Sequence, residues 1–335
     1  ARHWLGYISY AIGDARAAIR HGEAALAGAR AAGDVKLAAH AVAALGEAHC
    51  AAANYERALP LLDQAIAVKR QHRSAGRTDA GLAFSLVCRA CVLAERGEFG
   101  PAHLCFDEAA ACVGGVVHEV GATVQGWRSA VLLGQGRWEE ARAAAAASRQ
   151  VAEATHSLAQ LAIARAIDAY AEWMLLRRPD SMEAILEVME WLRPRESRLY
   201  RSFYHGWLAD GLVDLGRPAE GRAHALQAMQ RARQRDLLGL PMACRALARD
   251  AAVRCPQHAE RYLRWAMRAA QQRGAAHEVA VTQLCAAGIA SGQGQGARAL
   301  ELLDEAAGAF ARMHMDWHLA QAAALRPRLA ALSWA

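Results

Sequence analysis

Lysine is almost missing from this sequence: of 39 basic residues, only Lys36 and Lys69 are lysines. A nucleic-acid surface usually mixes lysine with arginine, so the arginine skew fits a GC-rich genome better than that role. Aromatic residues make up only 6% of the chain although 54% of it is hydrophobic, so Ala and Leu must build the core. Strand formers are sparse and no stretch alternates apolar and polar residues. This composition predicts an all-α protein.

Long apolar runs are also missing. None approaches the roughly 18–20 residues that a membrane span requires, and residues 1–14 lack the order of a signal peptide. The chain begins with Ala rather than Met, so we expect a processed form or a piece of a longer protein. Eight cysteines within predicted helices do not form a disulfide framework, which predicts reduced thiols and a cytoplasmic location.

The sequence motifs of common enzyme sites do not occur. There is no GxxxxGK[ST], GxSxG or HExxH, and no GxGxxG on a strand–turn–helix frame. The glycine-rich run GQGQG at 292–296 falls where a turn between two helices is predicted. No nucleophile is paired with a base. We therefore expect no enzyme activity and no cofactor in this segment.

What the chain does contain is a repeat. ANYERALPLLDQAI at 53–66 and GEFGPAHLCFDEAA at 97–110 share a small residue, an aromatic, and then alanines and a bulky residue at helical spacing. Eight such copies follow one another at intervals of 37 to 44 residues. Their small and aromatic positions are predicted to lie where helices press together. These packing residues are Gly46, Tyr55, Ala58, Ala65, Phe99, Ala102, Ala109, Gly136, Ala141, Gly216, Ala299 and Ala306.

The sequence of each unit predicts a helix, a short turn, a second helix and a longer turn. One such pair cannot bury its apolar face alone, whereas stacked neighbours share a continuous core. We predict a right-handed superhelical solenoid of about eight helix hairpins that forms one domain, 1–335, closed by a capping helix. The approximate units are 1–33, 34–76, 77–115, 116–157, 158–195, 196–237, 238–275 and 276–314, with the cap at 315–335.

The pattern Leu45-Gly46, Tyr55, Ala58, Leu62 and Ala65 resembles the tetratricopeptide repeat (TPR). The longer units, with endings such as ALAGARAAGDVKLAAH, look like the repeat segments of bacterial class III adenylate/guanylate cyclases carrying an ATPase module and of LuxR-type ATP-dependent regulators. The stretch GLPMACRALARDAA is similar. This resemblance implies a signalling or transcription-regulatory protein of which the full length carries such a module.

The resemblance also implies where a partner binds, because the first helix of each TPR hairpin lines a concave groove. Carried over by register, the groove residues are His3, Tyr7, Tyr10, His40, Glu47, Cys50, Phe84, Val87, Cys91, Trp173, Phe203 and Asp210. Aromatic residues with a few polar groups suit a protein or peptide partner, which includes another domain of the same polypeptide. The Lys/Asn/Arg clamp that grips a peptide carboxylate in some TPR domains is not found there.

Other functions stay open. The pair Cys88 and Cys91 has metal-like spacing, but it does not supply four tetrahedral ligands, so we predict no metal site. The basic stretches 69–77 and 193–201 are predicted to be solvated surface, so we do not expect a nucleic-acid partner. We predict a non-catalytic interaction or sensor segment. A small-molecule effector domain and a thiol- or metal-responsive module are the alternatives, and a homo-oligomer is left open.

Overall fold

The computed structural model describes residues 2–72, 78–195 and 200–332 of the chain. Within these ranges it contains 17 α-helices, one 3-10 turn at Arg193–Arg195 and no strand. The first eight helices are α1 (Arg2–Ala11), α2 (Ala15–Ala31), α3 (Val35–Ala51), α4 (Tyr55–Gln71), α5 (Ala80–Glu95), α6 (Phe99–Val113), α7 (Glu119–Gln135) and α8 (Trp138–Ala154). The others are α9 (Leu158–Leu176), α10 (Asp180–Leu192), α11 (Arg201–Asp214), α12 (Pro218–Ala232), α13 (Leu240–Arg254), α14 (Pro256–Arg273), α15 (Ala276–Gly292), α16 (Gly296–Met313) and α17 (Asp316–Leu332).

The helices pair in chain order into eight antiparallel hairpins, from α1/α2 to α15/α16, and α17 packs on the last hairpin. The first helices of successive hairpins also pack against one another, so the hairpins stack into a solenoid. This confirms the predicted all-α class with eight hairpins and a final helix. None of the helices in the described ranges combines the length and the apolar character needed to cross a bilayer.

Short polar side chains set where the helices α2, α3 and α5 begin. The carboxylates of Asp14, Asp34 and Asp79 each accept a hydrogen bond from the backbone amide three residues further on, at 2.8–2.9 Å. Such N-caps satisfy amides that have no partner inside the helix. They fix the turn that enters each helix and therefore the direction of the next hairpin.

Most predicted packing residues are buried where neighbouring helices meet. Ala58, Ala102 and Ala299 have no exposed surface, and a Cβ built on Gly46 would lie only 3.0–3.2 Å from three atoms of Leu62. The remaining buried members of the set are Tyr55, Ala65, Phe99, Ala109, Ala141 and Ala306.

The structure assigns two predicted packing glycines to a different role. A Cβ on Gly216 would meet nothing within 4 Å, and the residue has φ +75°, so the left-handed turn after α11 requires it. Gly136 likewise has φ +86° at the end of α7, although a Cβ there would also strike the ring of His318. Gly216 therefore reflects a helix ending rather than close helix packing, whereas Gly136 both ends a helix and packs closely against α17.

The solenoid completes a turn and brings distant hairpins into contact. Arg273, at the end of α14, bonds Glu95 at the end of α5, and Gln135 donates to the backbone oxygen of His314 at 3.1 Å. A single core cluster contains residues of α5, α6 and α7 together with Ala280 of α15 and residues of α16. We call this contact the closing seam. It joins hairpins three and four to the helices α14–α17.

Candidate functional site

A cavity of about 1020 Å³ lies inside the superhelix, on the side away from the second helices. Its wall receives side chains from nearly every first helix, beginning with Tyr10 of α1 and ending with Leu325 of α17. In the first five hairpins these side chains come from the C-terminal halves of the first helices. The closing seam completes the wall, because Glu95, Trp138, His277 and His318 all line the cavity.

Aromatic rings form one side of the cavity. The rings of Tyr170, Trp207 and Phe203 stack in sequence, with centroid separations of 5.5 and 5.2 Å and interplanar angles of 21° and 16°. The ring of Trp127 meets that of Tyr200 edge-on at 4.6 Å. Rings in these arrangements present a rigid apolar surface to a ligand at little cost in side-chain entropy.

A network of charged groups adjoins the stacked rings. Arg249 on α13 donates to Asp210 at 2.8 Å and also contacts Asp214 at 3.3 Å. The hydroxyl of Tyr170 donates to the other oxygen of Asp210 at 2.8 Å, while Arg177 reaches Asp214 only at 3.5 Å. Asp210 therefore has two close donors, and Asp214 has two distant ones.

The pKa values of the two carboxyl groups follow this difference. Burial opposes ionisation of Asp210, but Arg249 and the Tyr170 hydroxyl outweigh it and lower its pKa. Burial raises the pKa of Asp214, because the arginines near it are too distant to compensate fully. Burial likewise raises the pKa of Tyr170 well above its usual value, so its proton stays on the hydroxyl that Asp210 accepts from.

A second ion pair closes the wall beside the seam. Arg245 and Glu278 are 6% and 7% exposed and bond directly, and Arg245 also donates to Thr282 at 3.3 Å. Although burial opposes it, the positive charge of Arg245 holds the pKa of Glu278 at about 2. Burial lowers the pKa of His318 to about 3, so this imidazole is neutral at physiological pH.

Four thiols also line the cavity. Cys50, Cys88 and Cys91 lie together on α3 and α5, and Cys285 lies on α15 near Arg249. The hydrogen bond from Cys50 and burial raise the pKa of Cys88, and burial raises the pKa values of Cys91 and Cys285. The thiols of Cys88, Cys91 and Cys285 are therefore protonated, and a protonated thiol is a poor nucleophile and a poor metal ligand.

The arrangement is suited to binding rather than to bond making. In the described part of the chain, no group of three His, Cys, Asp or Glu side chains is placed to hold a metal ion. The hydroxyl of Ser85 accepts from Lys69 at 2.8 Å and donates to Glu47 at 3.1 Å, which resembles an activated serine. Ser85 has no exposed surface, however, so no substrate reaches it.

The structure brings half of the predicted groove residues to the cavity wall. These are Tyr10, Cys50, Val87, Cys91, Phe203 and Asp210. The predicted packing residues Tyr55 and Phe99 line it as well. The side chain of His3 lies outside the described part of the structure.

Five predicted groove residues lie off the cavity wall. Tyr7 is 58% exposed, His40 is exposed at the N-terminal half of α3, and Trp173 is packed into a core cluster with 2% exposure. Glu47 is turned to Ser85, and the ring of Phe84 contacts Tyr10 edge-on at 5.9 Å. The register transferred from TPR hairpins selected positions too close to the starts of α1, α3 and α5, whereas the superhelix narrows at the ends of those helices.

Several cavity residues were not predicted. The arginines 177, 245 and 249, together with Trp127, Trp207 and Glu278, were all missed. A signal for Arg177 was present: the fifth unit lacks a glycine at its helix turn, and Arg177 takes that left-handed position with φ 52°. A non-glycine residue held there is uncommon and often functional.

Comparisons with known proteins identify the fold and nothing finer. No family model matches the chain, and no curated protein sequence matches it. Among solved structures it is similar to Rap protein complexed with competence and sporulation factor, with 12% identity over 99% of this chain and 96% of that chain and a TM-score of 0.63. It also matches the P58(IPK) TPR domain, with 12% identity over 98% of both chains, but that TM-score is 0.28. The chain therefore shares the helical-repeat fold of the Rap protein.

Proposed function

We propose that this chain is a non-catalytic regulatory segment that binds a short peptide, or a short segment of a protein, inside the superhelix. The observation that carries the proposal is the cavity of about 1020 Å³. It lies at the upper end of the roughly 300–1,000 Å³ typical of small-ligand sites. A few peptide residues fill such a space, whereas a folded domain does not enter it.

The chemistry of the wall supports the same class of ligand. Trp127, Phe203 and Trp207 offer apolar contacts, and the paired charges around Asp210 and Arg249 offer hydrogen bonds at fixed positions. A peptide combines apolar side chains with a polar backbone, so it matches both kinds of surface. The structurally similar Rap protein was solved with a bound factor, which adds weight to a ligand-binding role for this fold.

Regulation would follow from the shape of the solenoid. A ligand that touches first helices from α1 to α17 favours one curvature of the array, and that bias reaches any module attached to it. The resemblance to the repeat segments of cyclases and LuxR-type regulators suggests a bacterial signalling or transcription-regulatory setting. The protonated thiols of Cys88, Cys91 and Cys285 fit a reducing cytoplasm.

A small-molecule effector is the second candidate, and one observation favours it. The stack of Tyr170, Trp207 and Phe203 ends in a ring that is only partly buried, so a planar ligand can continue the stack over Phe203. Such a ligand would bind one side of the cavity and leave the thiol-lined end empty.

Gly288 provides a test that leaves the fold intact. It lies on the cavity wall within α15, and a Cβ built there meets nothing within 4 Å. Gly288→Trp therefore adds a large ring at the cavity wall from a position where the Cβ has room, and it also removes a residue that weakens helices. Gly28→Trp on α2 is the matched control, since Gly28 is an exposed helical glycine with equally open surroundings.

The probe is a peptide selected against the purified chain from a library of random short sequences, with its affinity measured by calorimetry. Gly288→Trp should weaken binding by at least about tenfold, or about 1.4 kcal/mol, and Gly28→Trp should leave it unchanged. Equal affinity for the wild type and Gly288→Trp would place the peptide outside the cavity. A selection that yields no peptide, while a planar metabolite raises the Tm of the wild type alone, would favour the effector instead.

A further inference from the structure

Positive charge is concentrated in one part of the chain. Residues 217–273 contain twelve arginines and four acids, a formal charge of +8, whereas the whole chain carries +6. The rest of the chain is therefore slightly negative. This part comprises α12, α13 and α14, which belong to the sixth and seventh hairpins.

Five of these arginines lie exposed on the outer surface, and we call them the basic ridge: Arg233, Arg235, Arg261, Arg264 and Arg268. Among the described residues, four of the five contact no carboxylate. The fifth, Arg264, reaches Glu260 only at 3.8 Å, and Glu260 bonds Arg298 more closely at 3.0 Å. The ridge is thus a set of guanidinium groups whose charge no carboxylate in the described part of the chain neutralises at close range.

Several exposed or half-exposed arginines on other helices are paired. Arg70 bonds Glu108 through two nitrogen atoms, Arg142 bonds Asp168 at 2.7 Å, and Arg326 bonds Asp304. Free surface charges of one sign repel one another and gain nothing from folding. Among the described residues, Arg16, Arg20 and Arg30 of α2 also contact no carboxylate, but Asp14, Glu23 and Asp34 balance their charge locally. The ridge lies in a segment with a net excess of positive charge, which is better explained by a partner than by the stability of the fold.

The geometry of α14 makes the ridge continuous. Arg261, Arg264 and Arg268 are spaced i, i+3 and i+7, so they lie on one face along about 10 Å of helix. Arg273 at the end of α14 donates to the backbone oxygens of Leu237 and Leu238 at 2.7 and 3.1 Å. This contact holds the loop that follows α12, and with it Arg233 and Arg235, beside the end of α14.

Two aromatic residues lie within the ridge. The rings of Tyr262 and Trp265 meet edge-on at 5.6 Å, and the guanidinium of Arg261 lies over both, at 5.6 and 5.3 Å from the centroids. Arginine, tyrosine and tryptophan are the residues that contribute most to protein interfaces. Because Arg261 covers the ring faces, they are not open for stacking with nucleotide bases.

We propose that the basic ridge binds an acidic segment of a protein, most simply a helix with carboxylates on one face that lies along α14. A projecting helix of this kind offers no groove for a nucleic-acid strand, whereas it meets a partner helix along its whole length. None of the five ridge arginines lines the cavity, so this inference does not depend on the proposed peptide site.

The test uses a fluorescent helical peptide of about 20 residues, one α14 length, with glutamates on one face and leucines at the edges of that face. Its affinity for the full chain is measured by anisotropy at about 50 and about 200 mM salt. The variant is the triple change Arg233→Ala, Arg264→Ala and Arg268→Ala. The control, which removes the same charge from α2, where no partner is proposed, is the triple change Arg16→Ala, Arg20→Ala and Arg30→Ala.

We expect the wild type to bind the peptide, more weakly at the higher salt. The ridge variant should lose about tenfold in affinity, and the α2 variant should lose less than about twofold. An equal loss in both variants would mean that only total charge matters, and no binding by the wild type would mean that the ridge is inert. Either result overturns the proposal. So does tighter binding of labelled single-stranded or duplex DNA of equal charge, which would assign the ridge to nucleic acid.

Discussion

Arg273 is the residue through which the closing seam can be tested most directly. Its side chain is 1% exposed and bonds Glu95, itself 13% exposed, through two nitrogen atoms at 2.5 and 3.1 Å. Its third nitrogen donates to two backbone oxygens of the α12–α13 loop. One side chain therefore joins α14, α5 and that loop, and we predict that Arg273→Met loosens all three.

The size of the effect follows from what the substitution leaves behind. Burial alone lowers the pKa of Arg273, but the carboxylate of Glu95 outweighs it and raises the pKa, so the guanidinium stays charged. Arg273→Met leaves a buried carboxylate without its partner, which typically costs about 3–5 kcal/mol. Glu95→Gln should cost only about 1–3 kcal/mol, because Arg273 retains its two backbone acceptors.

The double variant, Arg273→Met with Glu95→Gln, isolates the interaction between the two side chains from their other contacts. If the two side chains stabilise each other, the double variant loses less than the sum of the single losses, with a coupling of about 1–3 kcal/mol. Arg268→Met on the same helix is the control: Arg268 is exposed and outside the seam, so its loss should change stability by no more than about 0.5 kcal/mol.

The assay must report on the stability of separate regions of the chain, because repeat arrays unfold in parts. In an open solenoid, weakening α14 affects only its neighbours in sequence. Here the seam links α14 to α5, so hydrogen exchange measured by mass spectrometry should accelerate in both places in Arg273→Met. Faster exchange confined to α13, α14 and α15, or strict additivity in the double variant, would refute the account of a closed superhelix.

Two further predictions concern packing and pH. Gly46→Ala should lower the urea midpoint and cost about 1–2 kcal/mol of stability, because the added Cβ would lie 3.2 Å from a backbone atom of Leu62. Gly28→Ala has open space around the added Cβ and should raise stability by about 0.5–1 kcal/mol. A stability change of the same sign in both variants would contradict the packing argument. Burial lowers the pKa of His205 to about 3 and also lowers that of His224, whose Nδ1 lies 3.0 Å from that of His205. The folded pKa values are below the unfolded value of about 6.5, so stability should be constant above about pH 6.5. Below that pH it should fall by up to about 1.4 kcal/mol per pH unit for each ring. If His205→Asn leaves this dependence of stability on pH unchanged, the assignment is refuted.

Much of the fold follows from the spacing of small residues along the sequence, which explains why it could be predicted. Ala58, Ala102 and Ala299 occupy the same position of the repeat in different units. Small residues at that position allow two helices to approach each other closely. The eight hairpins and the final helix follow from that pattern. Gly216 was misread as a packing residue because a helix-ending glycine recurs at the same interval as a packing one.

The cavity was only half predictable because it depends on curvature. Each hairpin adds a small rotation to the stack, and the sum from the third hairpin to the seventh decides that the end of α5 meets the end of α14. No local pattern encodes a contact between Glu95 and Arg273, 178 positions apart. Hence Cys50 and Val87 could be placed on the inner side of single helices, whereas the network of Arg249 and Asp210 could not.

The closing seam also bears on how a ligand reaches the cavity. Its contacts are of two kinds, the buried ion pair of Arg273 with Glu95 and the aromatic contact of Trp138 with Trp317 at 5.1 Å. The ion pair is strong only when its geometry is kept, so a small separation weakens it steeply, while aromatic packing tolerates sliding. Glu95, Trp138 and His318 belong to the seam and also line the cavity, so a ligand there contacts both sides of the seam. Ligand binding and seam closure therefore depend on each other, and a variant that opens the seam should weaken a ligand in the cavity even though Arg273 does not line it.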